Sequence, residues 1–295
     1  MSVQSVQEIL GRFIEDLQDE RVRELFAALP SGKMLRSRLI LSIAKSERAT
    51  FLAAVVEMIH AASLLHDDVI DEATQRRGKP SINASYGNKN AIMLGDILYS
   101  KAFYELTKLP DPIPQIISNA VTLLSLGEML DVELSKRFNS DRELYFDMIY
   151  KKTGSLIEAS AKAAAHLAGK DIEGYALFGK NLGIAFQIVD DILDVVERSE
   201  TLGKPAMSDF AEGKATLPYI YLYERLSPKE REQLLAFYKK DLSEEEERWI
   251  KERMRSYGVI EACKEEARKL AKEGAEAVDD RGLHKIMESL IERTY

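Results

Sequence analysis

Six aspartates in two sets carry the most specific chemistry in this sequence. Asp67, Asp68 and Asp71 stand in SLLHDDVIDEATQRRGKP, residues 63–80, and Asp190, Asp191 and Asp194 repeat the Asp-Asp-x-x-Asp spacing in GIAFQIVDDILDVV. On a helix, positions i and i+4 share a face, so Asp67 with Asp71, and Asp190 with Asp194, project their carboxylates in the same direction. Each pair repels itself unless a cation sits between. Magnesium suits such a pair: it is hard, prefers oxygen, keeps several waters, and is held by one or two carboxylates while substrate phosphates complete its octahedron. Two pairs facing each other across a bundle would make a trinuclear-type clamp for one diphosphate. A single copy of the motif reads more simply as a solvated helix end. Two copies, each embedded in an apolar helix, favour the metal. An EF-hand loop fails, because its alternating Asp/Asn ligands, central Gly and terminal Glu are missing. Histidine-held zinc lacks support too: His60 and His66 stand six apart and no His-Glu-x-x-His is present.

Cations gather where loops meet helices: Lys33 and Arg36 in SGKMLRSR, Arg76 and Arg77 in TQRRGKP, Lys152 in YKKTGSL, Lys204 in TLGKP, and Lys214 in EGKATLP. Arg makes bidentate phosphate contacts and Lys supplies a mobile point charge, so the set could neutralise two diphosphates. Taken singly, each reads as an ordinary surface residue. Their weight comes from standing beside the aspartates.

The elements that must position these groups are helices. Apolar residues recur at three- and four-residue intervals nearly everywhere, and strand alternation is hard to find over a useful length, which predicts an all-α chain. Breaks fall at LPSGK (29–33), NASYGNKN (83–90), LPDPIP (109–114), FNSD (138–141), AGKD (168–171), ETLGKPAMSDFAEGK (200–214), LSPKE (226–230) and KDLSEE (240–245), leaving about ten helices between them. No Pro/Ser/Gly-rich linker divides the chain, so residues 1–295 read as a single large helical domain. The Lys- and Glu-rich helices after Pro228 read as solvated faces.

Composition narrows the partners. A net charge of −8, with acids and bases mixed, argues against a general nucleic-acid or anionic-membrane binder. A single cysteine, Cys263, excludes an internal disulfide and any Cys-rich metal site, and fits a reducing compartment. The N-terminus lacks the form of a secretory signal. The most apolar stretch, FLAAVVEMIHAASLL, is interrupted by Glu57 and His60 and is too short to span a bilayer. The expectation is a cytoplasmic protein without a transmembrane segment, handling any lipid inside a cavity.

Read in order, GKMLR, EMIHAASLLHDDVIDEATQRRG, LGD at Leu94–Asp96, GE at Gly127 and Glu128, KTGSL, GIAFQIVDDILD and GKPAMSDFAEGKATLP resemble the all-trans polyprenyl diphosphate synthases, from about Gly32 to Pro218. Two departures stand out: Ser37 where the family usually has proline, and Met207 where glycine is common. Neither is expected to touch the charge chemistry. The resemblance implies an all-α isoprenoid-synthase bundle with a central elongation cavity, a homodimer, and Mg²⁺-dependent condensation of an allylic diphosphate, farnesyl or geranylgeranyl, with isopentenyl diphosphate. Carried over, Asp67, Asp71 and Asp190 would be the principal magnesium ligands, with Asp68, Asp191 and Asp194 as supporting or water-mediated ones. Arg76, Lys152, Lys204 and Lys214 would hold the allylic diphosphate, and Lys33, Arg36, His60 and Arg77 the isopentenyl diphosphate. Thr153 and Gln187 would line the reacting centre. Stabilised by cations, the diphosphate leaves, the allylic C–O bond breaks toward a carbocation, the second alkene attacks, and a proton is lost to the departed diphosphate.

Product length would be set one turn back from Asp67, at Ser63 and Ala62. A turn rises about 5.4 Å, close to one extended isoprene unit. In the resembling family bulky aromatics here stop the chain early. The small pair would let it pass toward Met58 and Ile59 and toward the helix expected to hold Met129, Leu134 and Phe138, with Phe138 as tunnel floor. A product of about C30 to C40 is expected from that depth. The alternatives are a geranylgeranyl diphosphate synthase with a shorter tunnel and a non-catalytic subunit of a heteromeric synthase, which would be expected to lose one aspartate cluster. A terpene cyclase usually departs from the second motif, and a purely structural bundle would bury unpaired acids at several kcal/mol each.

Overall fold

A computed structural model of the chain describes residues 2–30, 32–196 and 207–292. Lys204 lies outside them. Short polar side chains start many of the helices. Ser2 opens α1 (Val3–Glu15), Asp19 opens α2 (Glu20–Ala28) and Ser46 opens α4 (Glu47–Ile70), each accepting a first-turn backbone N–H. Ser227 and Ser243 close capping boxes with Glu230 and Glu246. Between α2 and α4 lies α3 (Leu35–Ile43), and after α4 come α5 (Ile82–Tyr86) and α6 (Asn88–Leu106). The chain continues through α7 (Ile113–Leu134), α8 (Arg142–Ile149), a π-helical turn at Tyr150–Gly154, α9 (Ser155–Ala168) and α10 (Ile172–Val196). Helices at Ser208–Ala211, Leu217–Arg225, Pro228–Phe237, Glu244–Ser256, Val259–Glu276 and Arg281–Glu292 complete the described residues. The chain is all-α, as the periodicity predicts.

Packing groups the chain into two compact units, Met1–Val121 with Leu156–Ala176, and Thr122–Ser155 with Leu177–Tyr295. In the first, α4 packs against α1, α3, α5 and α6. A helix apolar on every side belongs in a core, and Ala53, Ala54, Val55, Val56, Met58, Ile59 and Ala62 are all fully buried. At 24 residues α4 is longer than the apolar stretch read from sequence, and it and α7 are long and apolar enough to cross a membrane. For α4, 67% of the apolar window is buried inside the protein, which accounts for its composition. Gly95 of the Leu-Gly-Asp motif lets α6 approach: a Cβ there would collide with the His66 ring.

One element escapes the helical reading. Gln75–Arg76 pairs with Lys79–Pro80 as a minimal antiparallel ribbon, Arg76 opposite Lys79. Its two-residue turn has Arg77 at φ 53° and Gly78 at φ 72°, the double left-handed geometry that matches the twist of a hairpin. This turn sets Arg77 at its tip.

In the second unit, glycines bring backbones together around the π-helical turn. A Cβ on Gly183 would come within 2.6 Å of Gly154 Cα, and one on Gly127 would run into the Lys152 backbone nitrogen. Single π turns inside helices occur frequently at functional sites. Here the turn carries Lys152 and Thr153.

Candidate active site

At the end of α4 the three acids part company. Asp71 caps the helix, its N–H donating to Asp67 O at 2.8 Å, and this leaves Asp67 half-buried and Asp71 exposed. Asp68 is only 4% exposed, and its Oδ1 accepts from Arg76 Nε at 2.7 Å and lies 2.6 Å from Arg76 Nη2. Asp68 is therefore the counter-ion that orients Arg76. One residue along a helix is a rotation of about 100°, enough to turn adjacent aspartates to different surroundings.

His60 lies seven residues before Asp67, on the same face of α4. Around it stand Arg36 from the first turn of α3 and the hairpin arginines. Burial first, then the charges of Arg36, Arg77 and Arg76, hold its imidazole well below the usual histidine range. Burial likewise lowers Arg36, against the opposing charge of Glu57. Arg36 Nε is buried with no hydrogen-bond partner. A buried donor left unmade costs about 1–3 kcal/mol. Arg77 Nη1 donates to Pro30 O at 3.4 Å, and a Cβ on Gly32 would come within 2.6 Å of that nitrogen. Exposed Lys33 follows Gly32 directly. The structure thus brings together Arg36, His60 and Arg77.

The neutral His60 has a thermodynamic consequence. Between its lowered pKa and the ordinary value of about 6.5, the unfolded chain binds a proton that the folded chain does not, so stability rises with pH through that window and is lost as pH falls through it. Thermal midpoints of the wild type should drop on acidification below about pH 6.5 more than those of His60→Asn. Parallel slopes in the two proteins would exclude His60 as the source.

The second unit holds the other acids. Lys152 Nζ lies 2.5 Å from Asp131 Oδ2 and 2.8 Å from Glu128 Oε2, both acids buried on α7. Asp131 escaped the sequence reading, and Glu128 entered it only as part of a motif. Their three-residue spacing after Gly127 was the available signal. Thr153 Oγ1 donates to Gln187 Oε1 at 2.9 Å, Gln187 Nε2 to Asp191 Oδ1 at 2.9 Å, and Tyr145 OH to Asp191 Oδ2 at 2.6 Å. Burial pushes both the Asp191 carboxyl and the Tyr145 phenol well up. Asp194 accepts Ser208 Oγ at 3.1 Å and the Asp209 N–H at 3.4 Å. Asp191 and Asp194 are each 2% exposed and engaged by protein donors. Asp190 is the half-buried member of its trio. Lys214 Nζ reaches Glu212 at 3.0 Å.

The two sequence departures make contacts of different kinds, Ser37 with a carboxylate and Met207 with a backbone carbonyl. Ser37 donates from its N–H and its Oγ to Glu57 Oε1. Met207 donates its N–H to Asp194 O at 2.8 Å from a left-handed φ of 57°, a conformation glycine reaches without strain. Of the product-length residues, Met58, Ile59 and Ala62 are fully buried, and Ser63 Oγ donates to His60 O at 2.9 Å. Phe138 lies beyond the end of α7 rather than on it, its ring 5.1 Å from that of Tyr223 and 5.3 Å from that of Tyr238. Met129 is 70% exposed in the single chain.

The donor sets fit a hard cation. Asp67 with Asp71, and Asp190, offer carboxylate oxygen alone, the chemistry magnesium prefers. Among the described residues no three or more His, Cys, Asp or Glu form a cage by themselves. One or two carboxylates completed by water and substrate phosphate is the usual magnesium arrangement.

Residues 19–255 match the polyprenyl synthetase family. The octaprenyl pyrophosphate synthase of Helicobacter pylori superposes with a TM-score of 0.94 at 44% identity, over 99% of each chain. A polyprenyl synthase of Caulobacter crescentus, crystallised with calcium and isoprenyl diphosphate, superposes at 0.86 and 30% identity, over 99% of this chain and 94% of that one. A short chain isoprenyl diphosphate synthase of Methanothermobacter thermautotrophicus is 36% identical over 78% of this chain and 79% of its own length. With two Asp-Asp-x-x-Asp helices in place, and Arg36, Arg76 and Arg77 grouped about His60, the chain belongs to the polyprenyl synthetase family and is a trans-prenyltransferase.

Proposed function

We propose that the chain condenses an allylic diphosphate, farnesyl or geranylgeranyl, with isopentenyl diphosphate repeatedly. The product on this reading is an all-trans polyprenyl diphosphate of about C30 to C40, the depth inferred from the helix rise below Asp67. The observation that carries the reaction is the grouping about α4: an acidic pair at Asp67 and Asp71, and on the same face His60, within the field of Arg36 from α3 and Arg77 from the hairpin, with the buried Arg36 Nε unmet. Such a helix provides for a metal-bound diphosphate and a second anion. Asp67 with Asp71, and Asp190 in its own unit, would each hold magnesium, which would stabilise negative charge on the leaving diphosphate. Arg76, oriented by Asp68, and Lys152, oriented by Glu128 and Asp131, supply the cationic contacts to that group. Lys33, Arg36, His60 and Arg77 hold the isopentenyl diphosphate, and Thr153 with Gln187 borders the reacting carbons.

Two helix faces support a homodimer. Ile92, Met93 and Tyr104 of α6 are 40%, 55% and 60% exposed, and Leu126, Met129 and Val132 of α7 are 47%, 70% and 42% exposed. Exposed apolar groups mark association surfaces where they form a contiguous patch. Incubation with Mg²⁺, isopentenyl diphosphate and farnesyl diphosphate, followed by sizing of the dephosphorylated products, tests the reading. A long-chain ladder is expected. A product stopping at geranylgeranyl would replace the length assignment, and no elongation would overturn the reaction.

A further inference from the structure

Glu57 faces the charges of Arg36 and Arg77 but is none of the substrate contacts proposed above. It stands on α4 three residues before His60, and its Oε1 accepts two hydrogen bonds from one residue, Ser37 N–H at 3.1 Å and Ser37 Oγ at 2.8 Å. The first N–H groups of a helix have no partner within it. In α3 the residue before the helix, Met34, is left-handed at φ 51° and offers no side-chain cap. A carboxylate from the neighbouring helix does the capping instead, at the end where a helix dipole favours negative charge. Ser37 is fully buried, so water does not compete for these bonds. Arg36, with its unmet Nε, is the residue immediately before Ser37. Anchoring the first turn of α3 to α4 therefore fixes the backbone from which the Arg36 side chain extends.

We infer that Ser37 and Glu57 act as a positioning pair that sets the affinity for isopentenyl diphosphate through Arg36, without acting on the allylic substrate. The inference rests on the reading above that Arg36, His60 and Arg77 hold that diphosphate. It also gives Ser37 a use that proline could not fill, since proline has neither the N–H nor the hydroxyl.

Steady-state kinetics with both substrates, and calorimetric titration of isopentenyl diphosphate into the metal-free protein, test the pair. Ser37→Ala removes one of the two bonds and Glu57→Ala removes the acceptor. For each, KM and Kd for isopentenyl diphosphate should rise about tenfold, the effect of losing a hydrogen bond to a charged group. The KM for the allylic diphosphate and kcat should stay within about twofold, since neither residue contacts that substrate. Unchanged isopentenyl diphosphate affinity in the folded Ser37→Ala protein, or an equal rise for both substrates, overturns the inference. Should Ser37→Ala fail to fold, the same two readouts on Glu57→Ala decide. A wild-type protein that does not consume isopentenyl diphosphate would count against the proposed function instead.

Discussion

Alanine at Asp67 or at Asp190 is expected to lower turnover by about 10³-fold or more, because Lewis-acid stabilisation of a leaving diphosphate is worth several kcal/mol and each 1.36 kcal/mol is a factor of ten. The thermal midpoint should stay near that of the wild type. Both side chains are half-buried beside solvent, and neither fills the core. Asp68→Ala should behave differently. It removes the buried partner of Arg76, whose Nη2 lies 2.6 Å away, and leaves that guanidinium uncompensated. Deleting one partner of a fully buried pair costs about 3–5 kcal/mol; with 27% of the Arg76 side chain exposed the cost here should be smaller, and the variant should still lose stability as well as activity. Circular dichroism melts beside single-turnover assays separate the two outcomes. Near-normal turnover in Asp67→Ala or Asp190→Ala would defeat the metal assignment, and an unshifted melt in Asp68→Ala would defeat the counter-ion role.

That contrast marks where the sequence stops being legible. Spacing of apolar residues was enough to predict helices, because 3.6-residue periodicity reports directly on which face is buried. Spacing of the aspartates was enough to find both clusters. It could not distinguish Asp67 from Asp68, since the difference lies in Arg76, eight residues on, which a two-residue hairpin turns back toward the helix end. The same holds for Asp191, which meets Tyr145 forty-six positions away, and for Asp131, whose ion pair with Lys152 spans twenty-one. Such partnerships are tertiary and leave no local pattern. Ser37 and Met207 were hidden for another reason: each acts partly through its backbone N–H, a group that side-chain type does not reveal. The π-helical turn is invisible for the same reason, being a change of backbone register rather than of residue type.

Ala62→Phe is expected to shorten the product by at least one isoprene unit. Ala62 is fully buried on α4, five residues before Asp67, or about 7.5 Å along the axis at 1.5 Å per residue. An extended chain attached to a diphosphate at Asp67 would reach that level within its second unit. At present the level offers little bulk: a methyl group at Ala62 and, beside it, a serine whose hydroxyl is turned onto the His60 carbonyl at 2.9 Å. A phenyl ring there must either occupy the path of the product or force its neighbours apart. Overpacking a core costs about 1–3 kcal/mol, so the variant should melt lower yet remain folded. The two outcomes are distinguishable, because displaced packing lowers the melt without changing the product, whereas a blocked path moves the dephosphorylated products to shorter chains. Ser63→Leu, one position nearer Asp67 and smaller than the phenyl ring, should shorten them as well. A folded Ala62→Phe enzyme with the wild-type product profile would show that the growing chain does not run past this turn of α4, and the length assignment would fall with it.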